Sequence, residues 1–283
     1  MALDFIPTVW AARLLTALNS SLIYAQTNVC NRDYQGDIRE AGNSVKVASI
    51  GEISIGNYSK NTDIEDPEIL TDSEQTMLID QSKYFNFYVD SIDQAQQNVN
   101  ILDEAMRRAS WSLRDVADSY LAGLMAAAVP VENTLGTSVA PLEPTSDDAY
   151  ETLVDLGVLL DESNTPIDGR FVVVPAWFHG LLLKDNRFVS SGSMRSDAAL
   201  SNGKVGEAAG FSILKSNNVP NVTGEEYKII GGSSIATSYA EQVVELQTYK
   251  PEKRFGDAVK GLHLYGGKVL RPTALAMMIA NKV

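Results

Sequence analysis

Residues 204–220 read KVGEAAGFSILKSNNVP and join a small, polar loop to a short apolar segment. The alternation that begins at Phe211 predicts a β-strand over residues 211–215. Gly206 and Gly210 precede this strand, whereas a dinucleotide-binding fingerprint places its glycines between a strand and a following helix. We therefore interpret residues 204–220 as a structural loop and strand rather than as a nucleotide site.

The longest regular pattern upstream of this stretch covers residues 94–128. Apolar side chains recur there every three or four positions, which predicts an amphipathic helix, and about 30 such residues form a rod of about 45 Å. The helix is expected to end before Pro130. Four charged side chains are expected on its opposite, solvent-facing side: Arg107, Arg108, Asp115 and Asp118.

A compact α/β unit is predicted between this helix and the opening stretch. Residues 145–148 resemble a helix N-cap, and the helix they start is expected to run through Leu160. A buried strand at residues 170–174 and a short helix at residues 176–185 follow.

Downstream, strand patterns resume, although residues 235–246 fit a helix as well as a strand. The paired glycines Gly231-Gly232 and Gly266-Gly267 predict turns. The strands expected beside these turns lie at residues 227–230 and 243–249, and then at 259–265, 268–271 and 273–280, where the chain would end in a terminal strand pair.

A two-residue period, typical of β-strands, begins at Ser44. It predicts a hairpin that turns at Gly51 and ends near Tyr58. A second pair of strands is expected at residues 69–80 and 83–89.

Near the N-terminus, Trp10, Leu14 and Leu18 recur every fourth residue and predict an amphipathic helix. Residues 26–43 show no sustained period, so we interpret them as an extended connector. The helix would either pack on its own domain or dock on a neighbouring molecule, and the pattern favours neither.

Composition narrows the class of protein. The 283 residues are 45% hydrophobic, enough for a core, and carry a net charge of −13, which disfavours a dedicated nucleic-acid binder because phosphate contacts need basic residues. Cys30 is the only cysteine, so no internal disulfide is expected and folding in a reducing cytosol is the natural interpretation. We expect neither a secretory signal nor a membrane span.

The sequence contains no motif that predicts an enzyme or a cofactor site. The glycines before Lys268 depart from a phosphate-binding loop because Val269 replaces the Ser or Thr that would hold magnesium. His179 and His263 cannot complete a metal site with a single cysteine, and we interpret His179, in its apolar setting, as structural. We therefore expect no catalytic, cofactor-binding or metal-binding residue.

Three stretches, taken in chain order, are similar to a known family: Phe5-Ile6-Pro7 with Trp10 and Leu14, then residues 204–220, then residues 255–272. Together they resemble the major capsid (coat) proteins of tailed bacteriophages, which have the Hong Kong 97-like fold. The opening stretch is similar to the branch of the phage P22 coat protein.

The resemblance implies an α+β fold in four parts. These are an N-terminal arm at residues 1–41, an extended β-loop at 42–85, a peripheral domain with a long spine helix at 86–128 and 240–283, and an axial domain at 129–239.

The resemblance also implies a function. The chain would self-assemble into hexamers and pentamers that form the icosahedral shell around a double-stranded DNA genome, after assembly in the host bacterial cytoplasm. A separate scaffolding protein and a portal protein are expected partners, with a decoration protein as an option. Packaged DNA would touch the shell non-specifically, and no membrane or cofactor is expected.

Contacts between subunits are expected at two places, the arm with Trp10, Leu14 and Leu18, and the extended loop with Tyr58 and Lys60. Lys60 lies in the loop where relatives form covalent cross-links, but no convincing set of lysine, asparagine and catalytic acid accompanies it. We interpret Lys60 as a solvated surface lysine.

Two rival classes remain open on sequence alone. An encapsulin-like compartment would share the fold and enclose a cargo enzyme instead of a genome. A soluble α/β enzyme would require turnover or a cofactor, for which no motif was found.

Overall fold

The structure is a computed structural model that describes residues 22–33, 44–50, 55, 57–58, 60, 63, 72–90, 101–185, 206–252 and 256–282. Over these ranges the chain has a mixed α+β architecture with one two-stranded, one three-stranded and one six-stranded sheet. Among the residues described, no helix is long and apolar enough to cross a membrane.

The helices lie close to their predicted places. Helix α1 is Ile101–Ala128, α2 is Ala149–Glu162 and α3 is Ala176–Lys184. Short 3-10 turns occupy Val131–Asn133 and Pro272–Ala274. The N-cap residue of helix α2, Asp148, accepts no hydrogen bond from the helix amides; its carboxylate accepts one of 2.9 Å from the Thr145 hydroxyl instead.

The six-stranded sheet consists of β4 (Thr134–Leu135), β5 (Arg170–Val174), β6 (Glu207–Ala208), β7 (Phe211–Lys215), β8 (Tyr227–Ser233) and β11 (Leu275–Ala280). Their order across the sheet is β4-β11-β8-β5-β7-β6. One of the two central strands, β5, is buried along its whole length, pairs parallel with β7 and pairs antiparallel with β8. The strands predicted at 170–174 and 211–215 are thus confirmed.

The three-stranded sheet consists of β3 (Gln81–Asp90), β9 (Thr237–Tyr249) and β10 (Gly256–Val269). Its order is β3-β10-β9, in antiparallel pairs, and α1 packs across it. The stretch 235–246, which fitted a helix or a strand, is therefore strand from Thr237 onward.

A separate two-stranded ribbon joins β1 (Ser44–Ile50) to β2 (Asp72–Leu78), with Ser44 opposite Leu78 and Ile50 opposite Asp72. The hairpin predicted around Gly51 was therefore wrong. Strand β1 pairs with β2, which follows it after more than 20 residues, and not with a strand directly after Gly51. The second predicted pair was also wrong, because β2 and β3 belong to different sheets.

Both paired-glycine turns were wrong as well, since Gly231-Gly232 lies inside β8 and Gly266-Gly267 lies inside β10. These glycines permit close packing. A Cβ on Gly232 would lie 2.6 Å from the Ala274 carbonyl oxygen, and a Cβ on Gly266 would lie 2.8 Å from the Ile79 Cα. Because β10 continues through its glycines, β11 pairs with β8 and β4, and the expected terminal strand pair does not form.

One hydrophobic core connects these parts. It includes the buried face of α1, the apolar residues of α2, the strands of the six-stranded sheet and part of residues 22–33. A smaller cluster of Met77, Ile79, Ala240 and Leu264 packs the ribbon end against the other face of the three-stranded sheet. The ribbon is therefore anchored at its base, next to the sheet that α1 crosses.

Candidate functional site

Residues 22–33, which we call the docking segment, pack against α1 and β9. The segment follows a series of turns, and five of its side chains are fully buried: Leu22, Tyr24, Ala25, Val29 and Cys30. The sequence interpretation of residues 26–43 as an extended connector was wrong for residues 26–33. Their apolar side chains are brought inward by turns, which leave no regular period in the sequence.

The carboxylate of Asp118 joins the docking segment to α1. Its Oδ2 accepts a hydrogen bond of 2.9 Å from the Ile23 amide. Burial raises the pKa of Asp118 to about 6, although the amides of Ile23, Ala25 and Tyr24 and the charge of Arg114 act in the opposite direction. Asp118 was expected on the solvent side of the helix, and that prediction was wrong because the docking segment covers this part of α1.

The segment also adds a short parallel bridge to the edge strand β9. The amide of Asn31 donates to the Thr237 carbonyl at 2.8 Å, and the Tyr239 amide donates to the Asn31 carbonyl at 2.9 Å. These bonds occupy backbone groups of an edge strand that would otherwise be open.

A buried polar cluster completes the attachment. The Arg32 guanidinium lies 2.9 Å from Glu241 Oε1, and its Nε donates to the Ala25 carbonyl at 2.8 Å. The Tyr239 hydroxyl donates to Glu241 Oε2 at 2.8 Å, and His263 Nε2 lies 3.5 Å from the same oxygen. Burial alone would raise the pKa of Glu241, but its partners His263, Arg32 and Tyr239 hold the pKa below its usual value.

The remaining reactive side chains have structural surroundings. The Cys30 thiol donates to the Tyr24 carbonyl at 3.1 Å, and burial raises the pKa of this thiol. His179 is half-buried on α3, where burial and the charge of Lys215 lower its pKa. Within the described ranges, no three His, Cys, Asp or Glu side chains converge on a metal position.

The loop between β1 and β2 presents large side chains to solvent. Ile55 is 97% exposed and Tyr58 is 76% exposed, and Lys60 is exposed beside them. The structure therefore places Tyr58 and Lys60 where another molecule can reach them. The other three expected contact residues, Trp10, Leu14 and Leu18, lie outside the described residues.

Sequence reasoning missed the attachment of the docking segment at Asp118, Arg32 and Glu241. One signal was available for Glu241, because it shares one face of its strand with Thr237 and Tyr239, where a buried charge requires a partner. Nothing local to Arg32 identifies that partner, since Glu241 lies 209 residues away in the chain.

The family is decided by a match between residues 74–278 and the model of a family described as phage capsid protein. This range contains β3, α1 and nearly all of both larger sheets. The chain belongs to the phage capsid protein family. No curated protein matches the capsid protein in sequence.

Solved phage structures share the fold of the capsid protein. The structure from Mycobacterium phage Che8 has a TM-score of 0.72 and 24% identity and covers 91% of each chain. The capsid of Ralstonia phage GP4 has a TM-score of 0.67 and 12% identity over 91% of this chain and 88% of that one. The capsid structure of cyanophage P-SCSP1u has a TM-score of 0.67 and 17% identity over 87% and 85%.

The implied α+β, Hong Kong 97-like fold is thus confirmed over about 90% of the chain. Family membership makes this a phage major capsid protein that forms the icosahedral shell, with the virion as its location. It also decides against the soluble-enzyme alternative, because the family is structural.

Proposed function

We propose that the capsid protein forms hexamers and pentamers that close the shell around a double-stranded DNA genome, and that the loop between β1 and β2 carries a principal contact between subunits. The observation that carries this proposal is the exposure of Ile55 and Tyr58 in that loop. Exposed apolar side chains that lie near one another mark protein–protein contacts more often than scattered ones do, and Ile55 and Tyr58 are three residues apart in the chain.

We assign the four parts of the chain as the resemblance implies: arm 1–41, extended loop 42–85, peripheral domain 86–128 with 240–283, and axial domain 129–239. The grouping of β3, α1, β9 and β10 around one sheet supports the peripheral domain. The six-stranded sheet with α2 and α3 supports the axial domain, except that its strand β11 (Leu275–Ala280) comes from the range assigned to the peripheral domain. The opening residues Phe5-Ile6-Pro7 support a position in the branch of the phage P22 coat protein.

The arm is proposed as the second contact between subunits, with Trp10, Leu14 and Leu18 as the side chains that bind a neighbouring copy. Their fourfold spacing supports this, because it places all three on one face of a helix. Lys60 is proposed as a polar contact at the edge of the loop, without covalent chemistry.

The expected protein partners are a separate scaffolding protein and a portal protein, with a decoration protein as an option. The net charge of −13 supports a non-specific contact with packaged DNA, since an acidic surface binds phosphate weakly. Assembly is proposed to take place in the host bacterial cytoplasm.

The test is particle formation by Tyr58 variants co-expressed with the scaffolding protein. Tyr58→Ser removes an exposed ring, so the unassembled subunit should keep its melting temperature while the particle yield falls at least tenfold. Tyr58→Phe is the matched control, because it keeps the ring and should assemble like wild type. Equal particle yields for Tyr58→Ser and wild type would contradict the role of this loop.

A further inference from the structure

We propose that the docking segment is a proton-linked strap: it binds α1 most tightly while the Asp118 carboxyl carries a proton, and it loosens when that proton is lost. Asp118 is 1% exposed, although an ionised carboxylate is normally solvated or paired. The segment itself provides the cover, since its fully buried side chains include Leu22, Tyr24 and Cys30. Among the described residues, Asp118 Oδ1 has no hydrogen-bond donor, so docking removes water from this oxygen without replacing it. Ionisation of Asp118 and docking of the segment therefore oppose each other.

The contacts of the carboxyl group are mainly with uncharged groups. Oδ2 accepts from the Ile23 amide at 2.9 Å, and the amides of Tyr24 and Ala25 face the same group. Arg114, one turn earlier on α1, is the cation that acts on Asp118. These interactions offset only part of the loss of water, which is why the pKa remains raised to about 6 when the segment is docked.

The other titratable groups of this region do not change the sign of the effect. On the segment, the Tyr24 hydroxyl and the Cys30 thiol face Asp118, and burial raises the pKa of both. On the sheet, Glu241 is held by Arg32 and by the Tyr239 hydroxyl. His263 is the histidine of this cluster and lies 3.5 Å from Glu241, so its contribution is tested separately.

The direction of the linkage follows from the two states of Asp118. When the segment leaves, the carboxyl is hydrated and its pKa returns toward the ordinary value of about 4. A docked pKa of about 6 means that the docked state binds the proton more tightly, so docking weakens as the pH rises through about 6. The docking equilibrium should be about tenfold more favourable at pH 5 than at pH 7.5.

Loosening would uncover the apolar side chains of Leu22, Tyr24 and Val29, together with the groove on α1 that holds them. Such surfaces can be buried again against another copy of the chain. The strap would then make the availability of this surface depend on pH. The strap itself does not depend on the proposed subunit contacts, and it is tested on unassembled protein.

Cys30 is a built-in reporter for the test, because it is the only cysteine and its thiol is buried in the docking segment. The rate at which 4,4′-dithiodipyridine reacts with the full-length, unassembled subunit is measured from pH 5 to pH 7.5. Dividing each rate by that of the urea-unfolded chain at the same pH removes the intrinsic pH dependence of the thiol and leaves the fraction of open segment. Wild type should open about tenfold more often at pH 7.5 than at pH 5, with a midpoint near pH 6.

Three variants assign the effect to a side chain. Asp118→Asn should abolish the pH dependence, Asp155→Asn, an exposed carboxylate on α2, should leave it unchanged, and His263→Gln should retain it. The proposal is overturned if wild type shows no pH dependence, if Asp118→Asn retains it or if His263→Gln removes it. If Asp118→Asn does not fold, a midpoint near pH 6 in both wild type and His263→Gln supports the proposal.

Discussion

At Gly232 the backbone of β8 passes so close to Ala274 that a Cβ would lie 2.6 Å from the Ala274 carbonyl oxygen. Because this neighbour is backbone, it cannot rotate away. We predict that Gly232→Ala lowers the free energy of unfolding by about 1–3 kcal/mol. Urea unfolding of the unassembled subunit measures the effect.

Gly180 is the matched control for this substitution. It lies on α3, and a Cβ there would have no neighbouring atom within 4 Å. Gly180→Ala should therefore be neutral or stabilise the subunit by up to about 1 kcal/mol, because alanine favours helix more than glycine does. Equal losses in the two variants would refute the packing argument.

Glu241 is a second residue whose role can be measured alone. Glu241→Gln leaves the Arg32 guanidinium beside a neutral amide in a buried setting, so we predict a loss of about 3 kcal/mol in the free energy of unfolding. Glu252→Gln, at an exposed position, is the control and should cost little. A comparable loss for both variants would contradict the assigned role of the cluster.

The pKa of Glu241 is held below its usual value, so the stability it contributes is present above the ordinary glutamate pKa of about 4.3 and is lost as the pH falls further. Asp118 has the opposite sign, since its raised pKa favours the docked state in mild acid. The docking segment should therefore be held most tightly near pH 5, which is above the ordinary pKa of glutamate and below the raised pKa of Asp118.

At the scale of elements, α1 has two different faces. Leu121 is fully buried, and its Cδ2 lies 2.9 Å from the position a Cβ of Gly267 would take, whereas Trp111 is 56% exposed. We predict that Leu121→Ala lowers the free energy of unfolding by about 2–5 kcal/mol, because it leaves a cavity between α1 and β10. Trp111→Ala should change it by less than about 1 kcal/mol in the unassembled subunit. Similar losses would mean that α1 does not lie on the sheet by its Leu121 face.

Elements with a continuous local pattern could be predicted from sequence. The period of α1 and the uninterrupted apolar run Phe171–Val174 in β5 are local properties, so the places of both elements in the chain were recognisable. Strand pairing was harder to predict from the sequence. The partner of β1 depends on how the base of the ribbon packs against Ala240 and Leu264, which are far away in the chain. A local turn signal at Gly51 does not contain that information.

The paired glycines and the docking segment show a related reason for the errors. A glycine pair permits either a turn or close backbone packing, and only the neighbouring strand decides between the two. The docking segment buries Val29 and Cys30 through turns, so no period marks them as core. Its partner Asp118 looked solvent-facing because the charge pattern of α1 does not include the segment that covers it.

At the scale of the whole molecule, the proposed arm contributes to assembly of the shell and not to folding of the single subunit. Trp10→Ala should leave the melting temperature of the unassembled subunit nearly unchanged, while a loss of about 3–5 kcal/mol at each contact makes particles scarce or fragile. Thermal melting and particle yield, measured on the same preparations, check this. A large drop in subunit melting would instead place Trp10 in the core of its own subunit.

The central claim, that this chain forms a closed shell through its exposed loop, is tested most directly by cryo-electron microscopy of particles made with the scaffolding protein. The account predicts an icosahedral map in which Ile55 and Tyr58 are buried against a neighbouring subunit. A shell in which both side chains face solvent, or a protein that stays monomeric at high concentration with scaffold present, would contradict it.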